Sequence, residues 1–149
     1  MSTVLRKGFF GWEDSFSVSS TTITTTWVPG QLACIDPNNE NNVFLTTTAS
    51  GAVGVLIDDY DELSAAPSGS KVTVLYGTGK IYINHKDAVD AGSAVRAYES
   101  NVESAKANWD LYVSTSGKWT TVASGSRVGT VFQVPTAANN YELGVLLRI

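Results

Sequence analysis

The feature that most constrains this chain is a series of short segments in which apolar residues recur at every second position. Val72, Val74 and Tyr76 follow this rule, and residues 141–149 follow it over the longest stretch. A period of two places alternate side chains on opposite faces of an extended chain, which is typical of a half-buried β-strand. The chain is therefore predicted to fold into strands that each bury one face.

Turn-forming residues separate these segments. Pro and Gly occupy positions 29–30, Pro and Asn dominate positions 36–42, and Gly-Thr-Gly at 77–79 predicts a short hairpin loop. Segments compatible with helix are scarce, and those at 87–91 and 102–107 are too short to hold a helix without tertiary help. We therefore predict an all-β fold, a small β-sandwich or barrel of about eight to ten short strands, with an extended N-terminal arm.

The beginning of the chain differs in composition from the rest, because it combines Gly, Ser and Thr with aromatic residues. We predict an N-terminal arm at residues 1–30 and a β-domain at residues 31–149. Two alternatives are open for the arm: it becomes ordered on a partner, or it is an edge strand of the β-domain. The downstream strands already offer a core, so the aromatic residues of the arm are predicted to contact a partner chain. These residues are Phe9, Phe10, Trp12, Phe16 and Trp27.

The charge pattern limits the classes of partner. The net charge is −4, and the longest basic cluster is the Arg6-Lys7 pair. Nucleic-acid binding requires cations along the phosphates, so we expect no nucleic-acid partner. No apolar run approaches the roughly 20 residues that span a bilayer, so we expect no membrane partner. A single cysteine, Cys34, and a start without a signal-like apolar stretch favour assembly in a reducing cytoplasm.

Residues that could carry catalysis or bind a metal form no recognisable pattern. The single histidine, His85, is accompanied by no G-x-S-x-G motif, and Cys34 lies in an apolar run typical of an inert thiol. The acidic cluster at 58–62 is typical of a solvated loop. The acidic and Asn spacing at 36–42 lacks the Gly and Glu of a calcium loop. We predict that the protein is not an enzyme and has no catalytic, cofactor or metal site.

Two tryptophans of the β-domain leave a binding alternative open. Trp109 alternates with Leu111 and Val113, which predicts a core position, whereas Trp119 beside a turn fits either core or surface. Exposed Trp and Tyr side chains on a flat face would favour a carbohydrate-binding β-module instead.

Several short segments follow one another in a distinctive order. A Pro-Gly turn leads into an apolar strand, a Gly-Val-Leu strand precedes an acidic loop, and a strand ending in Gly runs into a second apolar segment. These features lie in segments 31–36, 51–56, 69–77, 80–83, 91–95, 128–130 and 144–147. Their order resembles that of the capsid decoration, or cement, proteins of tailed bacteriophages.

This resemblance implies a small β-rich domain that forms homotrimers at capsid three-fold sites and binds the major capsid protein. The expected function is that of a structural virion protein, located on the outer capsid surface, that stabilises the capsid lattice. The alternative is a phage fibre or spike domain, or a carbohydrate-binding β-module.

Overall fold

The computed structural model describes residues 4–18, 28–36, 39–44, 52–58, 71–83, 96–123 and 125–149. Within these ranges nine strands join into one sheet, and two short 3₁₀ helices span Ser100–Ser104 and Ala137–Asn139. The strands are β1 (Val4–Val18), β2 (Leu32–Asp36), β3 (Asn39–Phe44), β4 (Ala52–Leu56), β5 (Lys71–Ile83), β6 (Asp110–Val113), β7 (Trp119–Thr120), β8 (Arg127–Gln133) and β9 (Leu143–Arg148). The predicted all-β class is confirmed.

The sheet closes on itself and also branches. Its strand order is β1-β3-β2-β4-β5-β9-β8-β6-β7, and β1 pairs in addition with β5. Because β1 contacts both β3 and β5, the first five strands form a closed ring of pairings, as a barrel does. The long strand β5 allows the branch, since Val74 and Leu75 pair with β4 while residues 78–83 pair with β9.

The central strands bury both faces, and each face belongs to a different core cluster. On β5, Val72 and Val74 face a small cluster, whereas Leu75 and Ile81 face a large one. The small cluster contains Val18, Ala33, Val43, Leu56, Val72 and Val74. The large cluster takes Leu32 from β2, Val55 from β4, and most buried side chains of β6 to β9, including Trp119. Burial on both faces explains why β2 and β4 have nearly continuous apolar sequences.

One predicted turn is wrong. The Gly-Thr-Gly segment at 77–79 is not a hairpin loop, because β5 runs through it from Lys71 to Ile83 without interruption. Gly77 has a φ of +146°, and a Cβ on it would collide with the Phe10 carbonyl oxygen and the Gly11 Cα of β1. Glycine at this position therefore permits the close approach of two strands rather than a reversal of the chain.

The segment predicted as an N-terminal arm contributes a strand to the sheet. β1 pairs antiparallel with β5 from Val4 to Ser17, and Val4 and Val18 are buried. Over Val4–Val18 the structure therefore shows the second alternative, a strand of the β-domain. The division of the chain at residue 30 stays a prediction.

A turn at residues 28–32 joins the two parts of the sheet. The buried Gln31 accepts a hydrogen bond from the Val28 amide through Oε1 (2.6 Å) and donates one from Nε2 to the Ser116 carbonyl (3.3 Å). The fully buried Trp119 donates its indole N–H to the Gly30 carbonyl at 2.7 Å. These bonds attach the β6–β7 hairpin to the start of β2, a connection that no local sequence pattern indicates.

Candidate functional site

The most exposed aromatic side chains of the described residues lie on one outward side of β1. Phe10 is 85% exposed and Trp12 is 66% exposed. The register pairs Trp12 with Tyr76 and Phe10 with Thr78, so these side chains share one side of the sheet. The Trp12 and Tyr76 rings stack with centroids 5.9 Å apart. We call this surface the aromatic face; its rings are Phe10, Trp12, Tyr76, Tyr82 and Phe132.

A β-bulge determines which aromatic residue of β1 faces outward. The register shifts between Lys7 and Phe10, so that Gly8 and Phe9 together oppose one residue of β5. Gly8 has a φ of +58°, the left-handed conformation that glycine supplies in a bulge of this type. The bulge turns Phe9 toward the large cluster and leaves the adjacent Phe10 in solvent.

Cationic side chains border the aromatic face. Lys7 Nζ lies 5.5 Å from the Tyr82 ring centroid, and Lys80 Nζ lies 5.4 Å from that of Phe132. Tyr82 and Phe132 meet edge to face with centroids 5.1 Å apart, so the two cation–π pairs form one continuous group. The face thus offers apolar area together with positive charge, although the chain as a whole is acidic.

The structure separates the five residues that were predicted to contact a partner. Phe10 and Trp12 are exposed. Phe9 is half-buried against the large cluster, and Phe16 is half-buried against the small one. Trp27 lies outside the described residues. Contact of these residues with a partner stays a prediction, and among the four that the structure describes, Phe10 and Trp12 have the exposed side chains.

The main chain of β1 also presents an edge. One side of the strand pairs with β5, and among the described residues the other side pairs only at Ser17 and Val18, with β3. Backbone groups along an unpaired strand edge are a template for an added strand. The edge and the aromatic face lie on the same strand, so a partner could contact both at once.

A second exposed aromatic side chain lies at the far end of the sheet. Trp109 was predicted to be in the core but is 45% exposed, and the prediction is wrong because Trp109 precedes β6 instead of lying within it. It lines a shallow cavity of about 390 Å³, which we call the Trp109 cavity. The lining residues are Asn108, Trp109, Asp110, Tyr112, Thr121 and Ala123.

Candidate chemical groups do not converge in the part of the chain that the structure describes. No group of three or more His, Cys, Asp or Glu residues that could hold a metal occurs there. Cys34 is buried. Asp36, at the end of β2, pairs in register with Asn39 of the antiparallel strand β3, and residues 37–38 lie outside the described residues. His85 and most of the acidic cluster at 58–62 lie outside the described residues; Asp58 accepts a hydrogen bond from the Thr73 amide at 2.7 Å.

One buried ionisable group has a shifted pKa. Burial raises the pKa of Tyr98 to about 12, an effect that the nearby Arg96 opposes and Tyr141 reinforces. The Tyr98 hydroxyl donates a hydrogen bond to the Tyr141 carbonyl at 2.8 Å, and its side chain belongs to the large cluster. This arrangement keeps the phenol neutral, which is a structural role.

Comparison with known proteins adds no relative. No protein-family model matches the chain, and no curated protein sequence matches it. Among the described residues, none belongs to a helix long and apolar enough to cross a membrane.

Proposed function

We propose that this chain is a structural virion protein that binds the outer surface of an assembled tailed-phage capsid and stabilises the lattice of the major capsid protein. The observation that carries the proposal is the exposure of Phe10 and Trp12 on β1, whose second edge pairs, among the described residues, only at Ser17 and Val18. The resemblance to capsid decoration proteins supports it, and segments of that resemblance fall on β2, β4, β5, β8 and β9.

The aromatic face is suited to contact with a protein. Large exposed aromatic side chains next to one another favour aggregation unless a partner covers them. Buried aromatic anchors each contribute about 2 kcal/mol or more to an interface. Lys7 and Lys80 at the border would direct the face toward an acidic patch on the capsid.

The edge of β1 supplies the second part of the contact. A strand of the capsid protein would pair with the unpaired main chain beside the aromatic face. Because β1 is already ordered on β5, binding would not require the backbone entropy cost of ordering a free arm, about 1–2 kcal/mol per residue.

Stabilisation of the capsid follows from linkage. A protein that binds the assembled lattice but not the free subunits stabilises the lattice by RT ln(1 + [L]/Kd), about 2.7 kcal/mol at a hundredfold excess over Kd. This mechanism requires no catalytic group. The proposed location is the outer capsid surface, after assembly in the host cytoplasm.

The proposed assembly on the capsid is a homotrimer. Low surface charge supports it, because only 16% of the residues are charged and repulsion between copies is weak. Light scattering of the purified protein, with cross-linking on capsids, measures the state. A monomer in both settings contradicts this part of the proposal.

Point variants of the aromatic face test the proposed function. Deleting the N-terminal segment is unsuitable, because β1 is part of the sheet and its loss would also change stability. We expect the double variant Phe10→Ala, Trp12→Ala to bind expanded shells of the major capsid protein from the same genome at least tenfold more weakly. Binding is measured by co-sedimentation over a range of protein concentrations.

The matched control is Trp109→Ala, which removes an exposed tryptophan at the other end of the sheet. It should leave capsid affinity unchanged, and its melting temperature shows whether the fold is retained. Failure of the wild-type protein to sediment with shells would overturn the proposed function, and unchanged binding of the double variant would overturn the role of the aromatic face.

A further inference from the structure

We propose that the Trp109 cavity is a binding site for a neutral saccharide. The cavity combines an exposed indole with amide, carboxylate and hydroxyl groups. A pyranose ring presents an apolar C–H face that stacks on an aromatic ring, and hydroxyl groups around its edge that require donors and acceptors. This site is separate from the aromatic face, because β6 is four positions away from β1 through β5, β9 and β8.

The backbone holds Trp109 in a fixed outward position. The Asn108 amide donates to the Val131 carbonyl at 2.7 Å, and the Val131 amide donates to the Trp109 carbonyl at 2.9 Å. Asn108 has a φ of +75°, a conformation that Asn tolerates better than most residues. The indole is thus presented by a backbone clamped to β8, and binding would cost little backbone entropy.

The polar groups of the cavity are available to a ligand. In the described part of the chain, no hydrogen bond involves the Asn108 side-chain amide, the Tyr112 hydroxyl or the Thr121 hydroxyl. The Asp110 carboxylate is oriented by the Arg127 Nε at 2.9 Å. An oriented carboxylate and an amide next to an indole supply both acceptors and donors for sugar hydroxyls.

The charges around the cavity favour a neutral ligand over an anionic one. None of the lining residues is cationic. The nearby Arg127 is engaged by Asp110 and also donates to the Thr130 hydroxyl at 3.2 Å. A phosphate or sulfate group would therefore find no cation in the lining of the cavity and would meet the Asp110 carboxylate. A neutral hexose chain meets neither obstacle.

Glycan-array binding with purified, labelled protein tests this inference and does not depend on any capsid. The array carries neutral hexose and N-acetylhexosamine oligosaccharides together with sialylated and sulfated ones. We expect binding to a subset of the neutral glycans. The strongest neutral glycan is then titrated while tryptophan fluorescence is recorded. We expect Trp109→Ala to weaken this binding at least tenfold, Asp110→Asn to weaken it less, and Trp12→Ala to leave it unchanged.

Melting temperatures of the three variants distinguish loss of the site from loss of the fold. A fourth variant, Trp109→Phe, keeps an aromatic ring and should retain part of the affinity for the glycan. Absence of binding to every neutral glycan overturns the inference, as does preferential binding to anionic glycans. Equal affinity of Trp109→Ala and wild type also overturns it. Since capsid binding is measured separately, failure of this inference leaves the proposed function standing, and the reverse also holds.

Discussion

Trp12 and Trp119 show how the same residue type serves different purposes in two regions of one sheet. Trp119 is fully buried, donates its indole N–H to the Gly30 carbonyl, and lies in the large cluster. Trp12 is 66% exposed and stacks on the Tyr76 ring. A tryptophan that stabilises the fold is covered and hydrogen-bonded, whereas one suited to binding is supported from one side only.

The largest effect that tests this comparison is expected for Trp119→Ala. The substitution removes the largest fully buried side chain of the described residues and leaves the Gly30 carbonyl without its donor. We expect a loss of about 3–5 kcal/mol in the free energy of unfolding, measured by urea denaturation. A loss below about 1 kcal/mol would show that the junction between the β6–β7 hairpin and the start of β2 is not a source of stability.

A second substitution tests the backbone of the other region. Gly77→Ala places a Cβ against the main chain of β1 at a φ of +146°, so β1 and β5 must separate. We expect destabilisation by about 3 kcal/mol, because steric overlap and backbone strain add. The control is Gly8→Ala at a φ of +58°, where a Cβ meets nothing within 4 Å; it should cost only about 1 kcal/mol. Equal effects of the two would contradict the close approach of β1 to β5.

The sequence predicted the strands better than their connections. Alternation correctly identified the buried face of β9, where Leu143, Val145 and Leu147 are fully buried. It could not identify β5 as one strand, because Gly-Thr-Gly has the local signature of a turn and only the approach of β1 explains it. The pairing of β1 with β5 joins residues between 54 (Ser17 and Lys71) and 79 (Val4 and Ile83) positions apart, and no local pattern encodes such a contact.

The candidate site was predicted only in part, for a related reason. Composition placed aromatic residues in the N-terminal segment, and Phe10 and Trp12 are indeed exposed. The side that each residue faces depends on the bulge at Gly8 and Phe9, which reverses the alternation of β1 at that point. Trp109 and Trp119 were likewise placed by hydrogen bonds to distant segments, at Val131 and Gly30, that sequence spacing does not reveal.

The pH dependence of stability tests the buried region, because Tyr98 lies beside Trp119 there. Tyr98 forms a parallel bridge with Trp119, and burial raises its pKa to about 12. An unfolded tyrosine has a pKa of about 10, so the folded state favours the protonated form. The stabilisation is complete below about pH 10 and is lost as the pH rises toward 12. By pH 11.5 the free energy of unfolding should have fallen by about 2 kcal/mol.

The measurement compares urea unfolding of wild type and Tyr98→Phe at pH 9 and pH 11.5. The variant lacks the hydrogen bond to the Tyr141 carbonyl and should be about 1 kcal/mol less stable at pH 9. Its disadvantage should shrink or reverse at pH 11.5, because it has no phenol to ionise at this position. A constant difference between the two proteins would contradict the shifted pKa.

Of these substitutions, Trp12→Ala is expected to change the free energy of unfolding least. The size of this change decides whether Trp12, unlike Trp119, is dispensable for the fold. The indole is mostly in solvent, so truncation creates no cavity and removes only its stacking with Tyr76. Such a ring contact contributes about 0.5–1.5 kcal/mol, and exposure places this one at the low end. We therefore expect a change below about 1 kcal/mol by urea denaturation, a fraction of that for Trp119→Ala. If Trp12→Ala instead costs 3 kcal/mol or more, Trp12 is a structural residue of the β1–β5 pair. Its exposure would then not indicate a binding surface, and capsid-binding losses in variants of the aromatic face would have to be attributed to the fold.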